Sequence, residues 1–208
     1  MSVQCWVYEV SELEDEALFA RGLSSLPWQE RREKILRLRS PLGRRLALGA
    51  GLLLSHALRE AGAEELRLDC GPQGKPFLTA CPQLHFNLSH SGSLALCAVA
   101  EFPVGADVEK IGPCRPGVAR RCFRPEELDW LARSPDPDRD FVRLWTRKES
   151  YLKLLGIGLT RMDPFFPCLP GEDPAAGFAY FEREFPGHWA CLCAPAGSEA
   201  VFRPWHFE

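Results

Sequence analysis

Apolar positions along the chain switch between two periods, and each switch marks an element. From Val3 to Val10 they alternate loosely, which predicts a strand. Ser11 and Glu14 make the Ser-x-x-Glu pattern of a helix start, so a short helix is expected to about Gly22. Pro27 opens a second helix over residues 28–39, and Leu42 to Ala61 predicts the longest one, ended by Gly62. A short strand over 65–69 and a turn at Gly71-Pro72-Gln73-Gly74 then deliver Lys75-Pro76. The proline biases Lys75 toward an extended conformation. Leu84, Phe86 and Leu88 alternate with His85, Asn87 and Ser89, as in a half-buried strand. Leu94 to Ala100 is nearly all apolar and predicts a strand buried on both faces.

In the strand predicted over 104–109, Ala106 and Val108 point one way, and Gly105, Asp107 and Glu109 the other. A glycine beside two acids on that face would let something polar approach closely. Pro125-Glu126-Glu127 reads as a first helical turn, with acids near the positive end of the dipole. Phe141, Leu144, Trp145, Leu152 and Leu155 recur at helical intervals and are followed by Gly156 and Gly158, where a helix should stop. A proline-rich loop from Met162 to Ala176 precedes three strands expected to be antiparallel, over 178–182, 189–194 and 199–202. The succession of helices and then strands occurs twice, with a break at Phe102-Pro103. The expected fold class is α+β, in an N-terminal half of residues 1–103 and a C-terminal half of residues 104–208.

Composition narrows the function classes. The 208 residues are 46% hydrophobic and 25% charged, as in ordinary globular proteins. A net charge of -3 offers no general attraction to nucleic acid or an anionic membrane, so any basic site is local. The longest apolar run, Leu46 to Leu58, is interrupted by glycines and is too short to span a membrane. The first residues lack the basic and apolar regions of a signal peptide. Nine cysteines, an odd number without a Cys-x-x-Cys pair, read as reduced thiols of a cytoplasmic protein.

Candidate chemistry lies in four places. Glu149 and Lys153 stand four apart on one helical face. Alone they are an exposed ion pair; beside Asp107 and Glu109 they make a cluster of three carboxylates and an ammonium. Three buried carboxylates repel unless a cation joins them, and Mg2+ takes oxygen ligands of this kind together with substrate phosphates. Zinc is disfavoured, because the five histidines are scattered. Seven basic residues fall between positions 31 and 45 against only Glu33, either a solvated helical face or a pocket for a small polyphosphate. His90 sits in Ser89-His90-Ser91, where donation to phosphate oxygens fits better than a nucleophilic triad, since no Gly-x-Ser-x-Gly elbow is present.

Taken together, Gly74-Lys75-Pro76, the segment from Phe86 through Asn87, Ser89 and His90 to Ser91, Gly105 to Glu109, and Trp145 to Lys153 occur in an order that resembles the 4′-phosphopantetheinyl transferases. The resemblance is to the surfactin-synthetase-activating type and extends from about residue 26 to about 160. It implies a pseudo-dimer of two similar α+β halves, acting as a monomer, with coenzyme A bound between them. The implied reaction moves the phosphopantetheine arm of coenzyme A to a serine hydroxyl of an apo acyl or peptidyl carrier protein and releases 3′,5′-ADP. On this resemblance Asp107, Glu109 and Glu149 hold Mg2+, Glu149 doubles as general base, and Lys153 neutralises the pyrophosphate. Ser89 and His90 contact coenzyme A phosphates, Lys75 lies beside the adenine or its 3′-phosphate, and Arg31, Lys34 and Arg45 face the 3′-phosphate side. Arg120, Arg121 and Arg124 are candidates for docking the carrier. Two other readings compete: a different Mg-dependent phosphodiester- or nucleotidyl-transferring enzyme, and a coenzyme A sensor that no longer catalyses.

Overall fold

A computed structural model of the chain describes residues 1–157 and 166–208. The expected stop at Gly158 and the start of the loop at Met162 lie outside the described residues. The elements run β1 (Ser2–Glu9), a 3-10 turn (Val10–Glu14), α1 (Glu16–Ser25), α2 (Gln29–Arg37) and α3 (Pro41–Glu60). There follow a small hairpin of β2 (Leu68–Cys70) and β3 (Pro76–Leu78), then β4 (His85–Ser91), β5 (Leu94–Ala100) and β6 (Gly105–Lys110). The remainder is α4 (Pro116–Cys122), α5 (Pro125–Ala132), α6 (Pro137–Leu155), β7 (Phe178–Phe185), β8 (His188–Pro195) and β9 (Glu199–Pro204). Among the described residues no helix is long and apolar enough to cross a membrane.

Mixed helix and sheet content makes the fold α+β, as expected. One sheet has the order β4-β5-β1-β9 and another β6-β8-β7. Strict alternation along the buried strands divides the core. Val3, Cys5 and Val7 of β1 and Leu94, Leu96, Ala98 and Ala100 of β5 meet Ala106, Val108, Ala190, Leu192 and Ala194 of the second sheet. Their opposite faces carry Trp6, Tyr8, Ala95, Cys97 and Val99, which pack with Leu48, Leu52, Leu53 and Ala57 of α3. On the outer side of the second sheet, Phe141, Val142 and Leu144 of α6 pack with Phe123, Leu131 and Trp189. The result is four layers, helices outside and two sheets face to face within.

Three expectations need correction. Residues 10–14 form the 3-10 turn, and α1 is capped by Asp15, whose carboxylate accepts from the Leu18 amide at 2.7 Å, not by Ser11. β9 does not extend the antiparallel sheet of β7 and β8. It pairs parallel with β1, from Ser2 opposite Glu199 to Val7 opposite Pro204. β8 is already flanked on both sides, whereas the outer edge of β1 is open. Trp205, just beyond β9, lies edge-on to Tyr8 and stacks on His56, each at 5.1 Å between ring centroids. A division at residue 103 therefore leaves this last strand in the first sheet. Lastly, Gly105 admits no ligand: a Cβ there would overlap the Ser150 carbonyl and the Leu154 amide of α6. The glycine lets the helix lie against the strand.

Candidate active site

β6 is the edge strand that turns Asp107 and Glu109 toward a cleft, and α6 passes beside it with Glu149 and Lys153 on one face. α6 is held by a first-turn proline, by the Asp136 carboxylate accepting from Arg139, and by Gly156 in the left-handed conformation at its end (φ 71°). The four side chains line a cavity of about 370 Å³ together with Arg31 of α2, Ser89 and His90 of β4, and Trp145 of α6. Residues from distant parts of the chain are thus brought together.

Lys153 Nζ lies 2.7 Å from Asp107 Oδ1 and donates to Ser89 Oγ at 3.0 Å; Ser89 Oγ in turn donates to Asp107 Oδ1 at 2.7 Å. Glu109 accepts from Ser91 Oγ at 2.6 Å. Two oxygens remain unanswered. Asp107 Oδ2 and Glu149 Oε1 are buried without a hydrogen-bond partner among the described residues. Burial pushes Asp107 up against the pull of Lys153 and Ser89. Burial, with the Asp107 charge added and Lys153 opposing, pushes Glu149 up to about 7. Such a pair of starved oxygens fits a hard cation that completes its shell from water and phosphate. Among the described residues no three His, Cys, Asp or Glu side chains are close enough to form a cage. The expected three-carboxylate cluster is therefore open, with Glu109 turned to Ser91.

The basic residues divide. Arg31 reaches the cavity, donates to the Ala47 carbonyl at 3.3 Å and keeps a buried Nε without a partner among the described residues. Gly51 makes room for it, since a Cβ there would lie 2.8 Å from that Nε. Lys34 is exposed and does not line the cavity. Arg45 pairs with Glu14 at 3.1 Å and lines a separate hollow near α1. Lys75 donates to the carbonyls of Lys153 (2.7 Å), Leu154 (3.2 Å) and Val104 (3.4 Å), capping the end of α6. It also lines a cavity of about 260 Å³ shared with Lys153 and Asn87. Among the proposed docking arginines, Arg120 and Arg121 are exposed, but Arg124 is engaged by Glu127 at 2.9 Å and Glu172 at 2.7 Å.

Sequence reading passed over several residues that hold the site. Lys148 and Glu127 are fully buried and paired at 3.0 Å. Arg147 donates to the Cys168 and Leu169 carbonyls and pairs with Glu182 at 2.8 Å. No local spacing signals these long-range partners. Asn87 and Ser91 also went unassigned, although they share a strand face with Ser89 and the alternation was readable.

The sequence model of the 4′-phosphopantetheinyl transferase superfamily matches residues 103–201. A 4′-phosphopantetheinyl transferase of Bacillus subtilis is 39% identical over 136 residues, 63% of this chain and 61% of that protein. The 4′-phosphopantetheinyl transferase psf-1 of Bacillus pumilus is 33% identical over 162 residues, 76% of this chain and 70% of its own. HetI of a Nostoc species, of the same designation, is 37% identical over 179 residues, 79% of this chain and 76% of its own. With two relatives covered over more than two thirds of their length, the chain belongs to the 4′-phosphopantetheinyl transferase superfamily.

Proposed function

We propose that this protein is a Mg2+-dependent enzyme that transfers the 4′-phosphopantetheine group of coenzyme A to a serine hydroxyl of an apo acyl or peptidyl carrier protein. The serine oxygen forms the new bond to phosphorus, the pyrophosphate linkage breaks, and 3′,5′-ADP leaves. The observation that carries most weight is the pair of buried oxygens on Asp107 and Glu149, without a partner among the described residues, beside the Lys153 ammonium. Family membership supports the transfer chemistry.

Asp107 and Glu149 would hold the ion, with Glu109, which lines the same cavity, as the third carboxylate toward it. A bound Mg2+ supplies charge neutralisation on the pyrophosphate. Lys153 moves from Asp107 to a phosphate oxygen when the substrate enters, and Ser89 and His90 line the same wall. Glu149 takes the serine proton, directly or through one water, a role worth roughly 10²–10⁴-fold in rate. Arg31, whose buried Nε has no partner among the described residues, clamps the more remote phosphate, and Lys34 and Arg45 add positive potential farther away. Lys75 holds the end of α6 beside the adenine side of the cleft. Two α+β halves, each carrying one wall of the cleft, act as a monomer in the reducing cytoplasm, where all nine cysteines stay free.

Intact-mass spectrometry tests this reading. Apo carrier protein incubated with the enzyme, coenzyme A and Mg2+ should gain one phosphopantetheine, and chelation should abolish the gain. No gain on acyl and peptidyl carriers, with coenzyme A binding retained, would favour the sensor reading instead.

A further inference from the structure

β4 and β6 are both edge strands, one from each sheet, and they pack against each other without a main-chain ladder between them. An edge strand with bare amide groups is a liability that proteins answer in some way. Here the answer comes from side chains at alternate positions of β4. Asn87 Oδ1 accepts from the Ala106 amide at 3.0 Å, and Ser91 Oγ accepts from the Lys110 amide at 3.1 Å. Between them Ser89 Oγ donates to Asp107 at 2.7 Å, and Ser91 Oγ donates to Glu109 at 2.6 Å. Residues 87, 89 and 91 share one face by strand geometry. Asn87 and Ser89 are buried and Ser91 is half-buried.

We propose that Asn87, Ser89 and Ser91 form a polar seam joining the two sheets, and that Ser91 is the positioning residue for Glu109. The seam replaces a ladder with side chains, so the strands stand apart by the depth of a side chain. That spacing is what leaves room for a cleft along β6. Ser91 occupies both ends of the arrangement, because one hydroxyl accepts from the strand backbone and donates to the carboxylate. It thereby fixes the orientation of the Glu109 carboxylate. A threonine retains the hydroxyl and an alanine does not. The Glu109 part rests on the metal reading given above, whereas the seam itself does not.

Two measurements on the metal-free and metal-titrated protein separate these parts. Residue-resolved amide hydrogen exchange reads the seam. In Ser91→Ala the Lys110 amide should exchange at least about tenfold faster, Ser91→Thr should restore it, and Asn87→Ala should expose the Ala106 amide instead. Mn2+ titration reads the positioning of Glu109. Ser91→Ala should weaken binding by about 10–100-fold, as loss of an outer-shell partner does, with recovery in Ser91→Thr. Unchanged Lys110 exchange in Ser91→Ala would overturn the seam. Normal Mn2+ affinity in Ser91→Ala would overturn the positioning role. Failure of the wild-type protein to bind Mn2+ would overturn the metal reading and the Glu109 assignment with it, while the exchange data would still decide the seam.

Discussion

Two lysines five residues apart on α6, Lys148 and Lys153, each meet a carboxylate from another element, and the two pairs are built in opposite ways. Lys148 and Glu127 are fully enclosed, and their charges are answered several times. Glu127 also accepts from the Arg124 amide at 2.7 Å and its guanidinium at 2.9 Å, while Lys148 reaches the Phe166 carbonyl at 3.3 Å and lies over the Phe166 ring. Burial pushes Glu127 up, but these partners together hold it below its ordinary value. Around Lys153 the balance reverses. Burial outweighs a single ammonium shared by Asp107 and Ser89, and both Asp107 and Glu149 are pushed up. A structural pair is complete within the chain; the candidate site keeps a deficit that a ligand would fill.

The sharpest way to break this contrast is to alter one member on each side. Asp107→Ala should abolish Mg2+-dependent transfer in a carrier-modification assay with little loss of stability. Lys148→Met should do the reverse first. It leaves the buried Glu127 carboxylate with Arg124 as its cationic partner and should cost about 1–3 kcal/mol in urea unfolding. A Lys148→Met protein as stable as wild type would remove the distinction.

Acid tests the closed side of α6. Glu182 is held down to about 2: burial opposes, but Arg143 and Arg147 outweigh it. Its folded value lies below the unfolded one, so its contribution is full above about pH 4.5 and is lost as the pH falls toward 2. A shift of that size corresponds to about 3 kcal/mol, which Glu182→Gln should remove at pH 6 but not at pH 2. Glu149 has the opposite sign. Its raised value makes the metal-free protein less stable as pH rises from about 4.5 through 7, so Glu149→Gln should raise Tm at pH 8 by about 2–4 °C. The smallest effect is expected at Lys34. Exposed and outside the cavity, it should change coenzyme A affinity by no more than about 1 kcal/mol on calorimetry, less than Arg31→Ala does.

Local patterns carried the strands and the site motifs. Alternation in β4 and β6 assigned their faces, because a period of two leaves no choice once one face is apolar, and the apolar run of β5 marked it as buried on both. Asp107 with Glu109, and Glu149 with Lys153, were legible because strand and helix spacing put each pair on one face. What escaped was non-local. Nothing near Glu199 says that β9 pairs with β1 and not with β7 or β8, since which strand edge is left free is a property of the assembled sheets. Lys75 looked like a ligand group, yet its ammonium meets carbonyls 78 and 79 residues away. Lys148 was overshadowed by its neighbour Glu149, because a buried lysine is recognisable only through a partner such as Glu127, 21 residues upstream.

The most direct test of the open site is the titration of Glu149 itself, followed by carboxyl-carbon NMR with Glu149→Gln to assign the resonance. In the metal-free protein the midpoint should lie near 7, and it should fall when Mg2+ and coenzyme A are added. A midpoint near the ordinary glutamate value, indifferent to Mg2+, would mean that the oxygens of Glu149 and Asp107 are not waiting for a cation.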